Sequence, residues 1–366
     1  MEIGILTYYE IYNHGAILQA NALKTILESF NCNVSFLTFQ RNYDMISEWE
    51  SKKFRLGLTS IPFYIKYAIN KGIKNISFIY KKKKIFDKFR REHFNIGKRY
   101  SDFEGDMVII GSDEVFAIDI GVNPFFYGHG IRSKKIISYA GSFGKTTKVD
   151  IENANLTNLV RSGFELLDNI SVRDQNSYDL VKSYGFLPTL VCDPVILYGY
   201  QKEQVEYVPK LKSYIVVYAY DKNMNDSQET LEIRTYAKTN GLKIYSIGGY
   251  HKWCDKNINC TPIELLGYIK HSNLVVTDTF HGSVMSIITN TEFVVRVRDN
   301  QNKLRNLLNE YNLTNRIWSE DNSIQSITNQ KIDYQKVNIS IDKNRKNAMN
   351  FLKGVIQFES RDGTNL

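Results

Sequence analysis

Short apolar runs alternate with amphipathic stretches along most of the chain. Residues 2–8, 33–39, 106–110, 135–140, 169–173 and 189–192 have strand length and strand composition, with helical periodicity between most of them. In 16–29, Leu18, Ala22, Leu23, Ile26 and Leu27 form one apolar stripe. Further helices are expected near 152–168 and 175–184. The alternation restarts after a polar, charged stretch at 199–212. Strands are expected at 214–220, 242–247, 274–277 and 293–297, and helices near 226–240, 262–271 and 283–290. A last helix falls at about 340–357.

Strand–helix alternation predicts parallel sheets covered on both faces. The expected architecture is α/β, with two Rossmann-type domains facing across a cleft. The N-terminal domain is placed at 1–198, the C-terminal domain at 199–330, and a helix and tail at 331–366 packing back on the first domain. The length of 366 residues, with 43% hydrophobic residues, suits two cores.

Charge changes this picture in one place. The net charge is +8, yet residues 52–99 alone hold fifteen Lys or Arg and two acids, Asp87 and Glu92. That segment carries +13 and the rest of the chain −5. A basic helical insertion in the first domain is therefore expected at about 41–99. Phe63, Tyr64, Tyr67, Phe78, Tyr80, Phe86 and Phe89 interleave with its cations. This suits an anionic membrane surface better than nucleic acid, or else a solvated insertion. The four cysteines are scattered and read as reduced thiols. The N-terminus reads as a strand, not a signal peptide, and no apolar run reaches membrane-span length. A cytoplasmic protein, peripheral at the inner face of the cell membrane, is expected.

Candidate chemistry gathers where strands end. The run Leu274–Thr277 leads into Asp278, Thr279, Phe280, His281 and Gly282, with a helix expected from Ser283. This puts a titratable imidazole in the crevice where open α/β sheets bind ligands, beside helix N–H groups that favour anions. Asn13, His14 and Gly15 join the first strand to the first helix, as a binding loop or a plain turn. Ser112, Asp113 and Glu114 follow the strand at 106–110, as a helix cap or a hold on a polyhydroxylated substrate. Ser142 lies between Gly141 and Gly144 after the next strand. A strand delivers Arg173 to the sheet edge, either for an anion or for a surface pair with Asp174. Cys192-Asp193-Pro194 reads as a structural turn.

In order, these blocks resemble the polysaccharide pyruvyl transferase family. The matching pieces are Gly4–Tyr8 with Asn13–Ala20, Gly111–Asp113, Ser138–Ala140, Ile170–Asp174, Asp193-Pro194 and Thr277–Gly282. The resemblance implies a GT-B-like fold. It implies transfer of pyruvate from phosphoenolpyruvate, as donor substrate, to a sugar as a cyclic ketal, with no metal or other cofactor required. The acceptor would be a surface polysaccharide sugar or its lipid-linked oligosaccharide precursor. The alternative is a GT-B glycosyltransferase using a nucleotide sugar.

On this reading His281 is the acid, and Asp113 or Glu114 the base. Arg173, Thr279, Gly282 and Ser283 hold the donor; Asn13, His14, Gly15, Ser112 and Ser142 hold the acceptor. Some members of the family have Arg-Leu-His-Gly where this chain has Thr279-Phe280-His281-Gly282. Another cation must then meet the donor, and Arg173, Arg296 and Arg298 are the candidates.

Overall fold

A computed structural model describes residues 1–41, 72–298 and 302–361. The part of the basic segment at 42–71 lies outside the described residues. Strands β1 (Glu2–Leu6), β2 (Asn33–Thr38), β3 (Ile96–Arg99), β4 (Met107–Ile110) and β5 (Lys135–Ser138) form one sheet. Its order is β3-β2-β1-β4-β5, and every pairing is parallel. The segments expected as strands at 169–173 and 189–192 contribute only β6 (Ser171–Val172) and β7 (Thr189–Leu190), paired with each other. Single bridges tie Ile137 to Asn169 and Gly141 to Val172.

The second sheet holds β8 (Tyr214–Tyr218), β9 (Lys243–Ile247), β10 (Lys256–Ile258), β11 (Leu274–Thr277), β12 (Phe293–Arg296) and β13 (Ile317–Trp318). Its order is β10-β9-β8-β11-β12-β13, again all parallel. β3, β10 and β13 are short edge strands that the apolar pattern did not reveal. The central strands β4, β8 and β11 are buried throughout, as helices on both faces require. The connectivity reverses between β1 and β4 in one sheet and between β8 and β11 in the other. These two reversal points fix where ligand crevices open.

The first helix, His14–Glu28, starts two residues earlier than the expected 16–29. Asn13 caps it, accepting from the Gly15 and Ala16 N–H groups at 2.9 and 3.3 Å. The expected helix at 152–168 is two, Lys148–Asn153 and Thr157–Glu165, broken at Asn155 with φ of 57°. The helix Ile73–His93 occupies most of the described part of the basic segment, whose end, expected as helix, is instead strand β3 on the edge of the first sheet.

The two halves share one apolar cluster. Ile17, Leu18 and Leu23 of the first helix belong to it, together with Leu265, Leu266 and Ile269 of helix Pro262–Lys270 and Val284 and Ile287 of helix Phe280–Ile288. Burying such side chains contributes about 1.5–3 kcal/mol each. An apolar seam of this kind limits relative motion of the halves. The last helix, Tyr334–Arg361, runs along both halves. Tyr334 Oη donates to Thr291 O at one end, and Lys135 Nζ donates to Val355 O at 2.9 Å at the other.

Candidate active site

Helix Phe280–Ile288 begins three residues earlier than the sequence suggested. Thr279 is extended, and its hydroxyl accepts from the Gly282 N–H at 2.9 Å, which makes it the N-cap. The Ser283 N–H is bonded to Thr279 O at 3.2 Å, and Ser283 Oγ donates to the same carbonyl at 3.3 Å. Gly282 and Ser283 are thus already satisfied within the turn, contrary to the expected role of these N–H groups toward a donor. Only glycine fits at 282, since a Cβ there would lie 2.1 Å from Thr277 Oγ1.

This cap places His281 in the first helical turn, pointing across to the other half. Its ring lies on Gly15, where an added Cβ would be 2.2 Å from His281 Cγ and 2.5 Å from Nδ1. Gly15 and His281, some 266 positions apart in sequence, are therefore one contact. His281 Nε2 is 3.7 Å from Asp193 Oδ2 and has no hydrogen-bond partner.

Arg173 stands behind this imidazole. Its side chain is 0% exposed; Nη1 donates to Asp193 Oδ2 at 2.8 Å and Nη2 to Asp113 Oδ1 at 3.0 Å. Its guanidinium also lies over the Phe280 ring at 4.7 Å. The expected surface pair with Asp174 does not form: Asp174 caps helix Gln175–Ser183 and accepts from Ser142 Oγ at 2.6 Å. Burial alone would raise the Asp193 carboxyl, but His281 and Arg173 outweigh it and hold it at about 2. Burial likewise opposes ionisation of Asp113, and Arg173, His281 and Lys303 together bring it below its ordinary value. Asp193 is more than the turn the sequence suggested. It caps helix Pro194–Tyr198 through the Val195 N–H at 2.9 Å and supplies the shared carboxylate of the cluster.

In front of the cluster is a cleft of about 300 Å³ lined by Glu114, Asp119, Lys145, Tyr220, Lys222, Asp278, Thr279, Phe280, Lys303 and Leu304. It draws on both halves. Lys303 Nζ bonds Glu114 Oε1 at 2.5 Å across it, and Lys145 pairs with Asp119 at 3.1 Å. Arg298 is committed elsewhere, to Asp278 at 2.9 Å and Glu229 at 2.8 Å, and Arg296 pairs with Glu229 at 3.3 Å. All three arginines proposed as donor ligands are therefore held by carboxylates of the protein.

The residues expected to hold the acceptor spread differently. Asn13 is the helix cap already described. His14 is buried, its Nε2 donating to Cys260 O at 3.2 Å, with its ring edge-on to Phe86. Burial, with Lys82 adding to it, lowers its basicity well below the ordinary value. Ser112 is fully buried and donates to Gln19 Oε1 at 2.5 Å. Ser142 is also fully buried, on Asp174. Of the five, Gly15 is the one in contact with His281. Asp113 has φ of 81°, reached from Gly111, where φ is 108° and a Cβ would be 2.5 Å from Tyr139 O.

Sequence reasoning missed Lys303, Lys145, Tyr220 and the pairing role of Asp193. Lys303 sits in an unremarkable amphipathic helix, and no local pattern marks it. Asp193 could have been found, because a carboxylate before Pro at a strand end is a strong helix cap next to a sheet crevice.

The two reversal points and the charged cleft between them define a two-lobed α/β enzyme of the GT-B-like class. Solved structures agree on the fold. The Methanocaldococcus jannaschii UDP-GlcNAc 2-epimerase bound to UDP-GlcNAc and UDP is 11% identical, with TM-score 0.51, covering 97% of this chain and 99% of that one. S. aureus MnaA with UDP is 12% identical, with TM-score 0.52, covering 100% and 98%. No curated protein matches the chain significantly. The sequence model described as "Polysaccharide pyruvyl transferase" matches residues 13–300, and the chain belongs to that family.

Proposed function

We propose that this enzyme transfers the pyruvyl group of phosphoenolpyruvate to two hydroxyls of one sugar, as a cyclic ketal. The sugar belongs to a surface polysaccharide, such as a capsule or exopolysaccharide, or to its lipid-linked precursor on the cytoplasmic side. The observation that carries this is His281, held on Gly15 beside Asp193 with Nε2 unpartnered, and following directly on Thr279 and Phe280, which line a cleft that both halves share.

In the proposed reaction a proton adds to C3 of the donor and C2 becomes oxocarbenium-like. One sugar hydroxyl attacks C2, the C2–O bond to phosphate breaks, and the second hydroxyl closes the ring. C3 gains one proton, the two hydroxyls lose two, and phosphate leaves carrying the other. His281 supplies the proton at C3 or at the leaving phosphate, and Asp193 orients its ring. Asp113, whose Oδ2 has no partner among the described residues, and Glu114 receive the hydroxyl protons.

The donor brings about three negative charges into the cleft. With the arginines committed, Lys303, Lys145 and the exposed Lys222 are the cations that face it. Binding then exchanges the Glu114 partner of Lys303 for a donor oxygen. No metal or other cofactor is invoked.

The test is acceptor-dependent phosphate release from phosphoenolpyruvate, alongside thermal shifts with phosphoenolpyruvate, UDP and GDP. Stabilisation by phosphoenolpyruvate with ketal formation is expected. Stabilisation by a nucleotide alone, or full activity of His281→Ala, would overturn the proposal.

A further inference from the structure

We infer that the outer face of helix Ile73–His93 is a docking surface for an anionic membrane. The inference extends the lipid-linked reading of the acceptor but stands on a separate observation. At about 100° per residue, Ile73, Ile76, Tyr80, Lys84 and Arg91 project to one side of the helix. Ile73 is 86% exposed and Tyr80 is 58% exposed, large apolar groups left in water. Lys81, Lys83 and Lys88 flank them. The helix carries six exposed cations, Lys74, Lys81, Lys83, Lys84, Lys88 and Arg91, against one exposed carboxylate, Glu92. Lys84 Nζ lies over the Tyr80 ring, 4.6 Å from its centre, so a cation and an aromatic ring are offered together.

An apolar stripe bordered by lysines is the pattern of a helix lying in a membrane interface. The stripe enters the headgroup layer, and the long side chains reach phosphates. Each basic residue near an anionic surface adds to the attraction.

The inner face fixes how this surface sits relative to the cleft. Phe78, Phe86 and Phe89 are buried. Lys82 Nζ donates to Gly248 O at 2.6 Å, and Asn259 Nδ2 donates to Phe78 O at 3.0 Å, both in the second half. Arg90 bonds Glu10 O at 2.5 Å in the first half, and Phe86 packs on His14, next to Gly15. The helix thus grips both halves at the wall that seats His281. A membrane bound to its outer face would hold the cleft at a fixed height above the lipid headgroups.

The test is sedimentation of the full chain with vesicles of phosphatidylcholine, with and without about 30 mol % phosphatidylglycerol, at low and high salt. Wild-type protein is expected to sediment with the anionic vesicles only. The variant K81E/K84E/K88E should lose at least about tenfold in partitioning while turning over a water-soluble acceptor within about twofold of wild type. I73S/I76S/Y80S should bind at low salt and release at high salt. Equal binding to neutral vesicles, no binding of the wild type, or no effect of charge reversal would overturn the inference. So would a face that retains duplex RNA through these lysines and ignores vesicles. Vesicle binding is read without turnover, so its failure and that of the phosphoenolpyruvate reading are distinguishable.

Discussion

Arg173 and Lys303 both lie over the Phe280 ring, at 4.7 and 5.6 Å, and differ in almost every other respect. The Arg173 side chain is 0% exposed, fixed by two carboxylates, and inside the first half. Lys303 is 21% exposed, has one carboxylate partner, and reaches from the second half to the first. A buried cation between two acids is architecture: it ties Asp113 to Asp193, the carboxylate beside His281. A cation with a single partner at the edge of a cleft can exchange that partner for a ligand. The sequence made Arg173 the natural anion ligand. The structure shows its guanidinium held by two carboxylates, and on the proposed reading ligand exchange falls to Lys303.

The largest effect is expected at His281, the neighbour of the Phe280 ring that both cations overlie. His281→Ala is expected to lower kcat about 10²–10⁴-fold with the melting temperature little changed, measured with saturating donor. A loss of fold instead of turnover would mean that the imidazole is a structural bridge between the halves.

Arg173→Ala tests the architectural side. It strands two buried carboxylates, and about 3–5 kcal/mol of stability should be lost by chemical denaturation. The same cluster predicts an acid limit. The Asp193 carboxyl lies near 2 in the fold, below its ordinary 3.8, so its ionised form stabilises the protein above 3.8. That contribution, about 2 kcal/mol, is lost as pH falls from 3.8 toward 2. In Arg173→Ala the loss should begin at higher pH, as unfolding monitored by circular dichroism would show.

Gly15→Ala separates placement from stability. The new methyl would overlap the His281 ring, so the ring must move, and about 10²-fold in kcat is expected to go with it. Gly15 lies in the first helical turn without a left-handed backbone, a conformation alanine adopts readily, so the fold should survive. Unchanged activity would show that the His281–Gly15 contact is incidental.

The smallest effect belongs to Lys303→Ala. Its ion pair is partly exposed and should cost no more than about 1 kcal/mol in stability. The KM for phosphoenolpyruvate should rise about tenfold, as for loss of one charged contact. A stability loss matching that of Arg173→Ala would erase the distinction between the two cations.

Local sequence pattern specifies the two parallel sheets, their central strands and the strand ends that carry Asp113, Arg173 and His281. Apolar runs and helical stripes are local patterns, and a strand end is located by where its run stops. It also determined the uneven charge, since composition needs no coordinates. It did not determine that Arg173 is neutralised, that Ser112 and Ser142 face inward, or that Thr279 starts the helix at Phe280. Those depend on which distant groups share a buried space. The contact between Gly15 and His281, and the pair of Glu114 with Lys303, join residues of opposite halves. Only the closing of the two lobes on their common apolar seam brings them within reach, and no spacing along the chain records that distance.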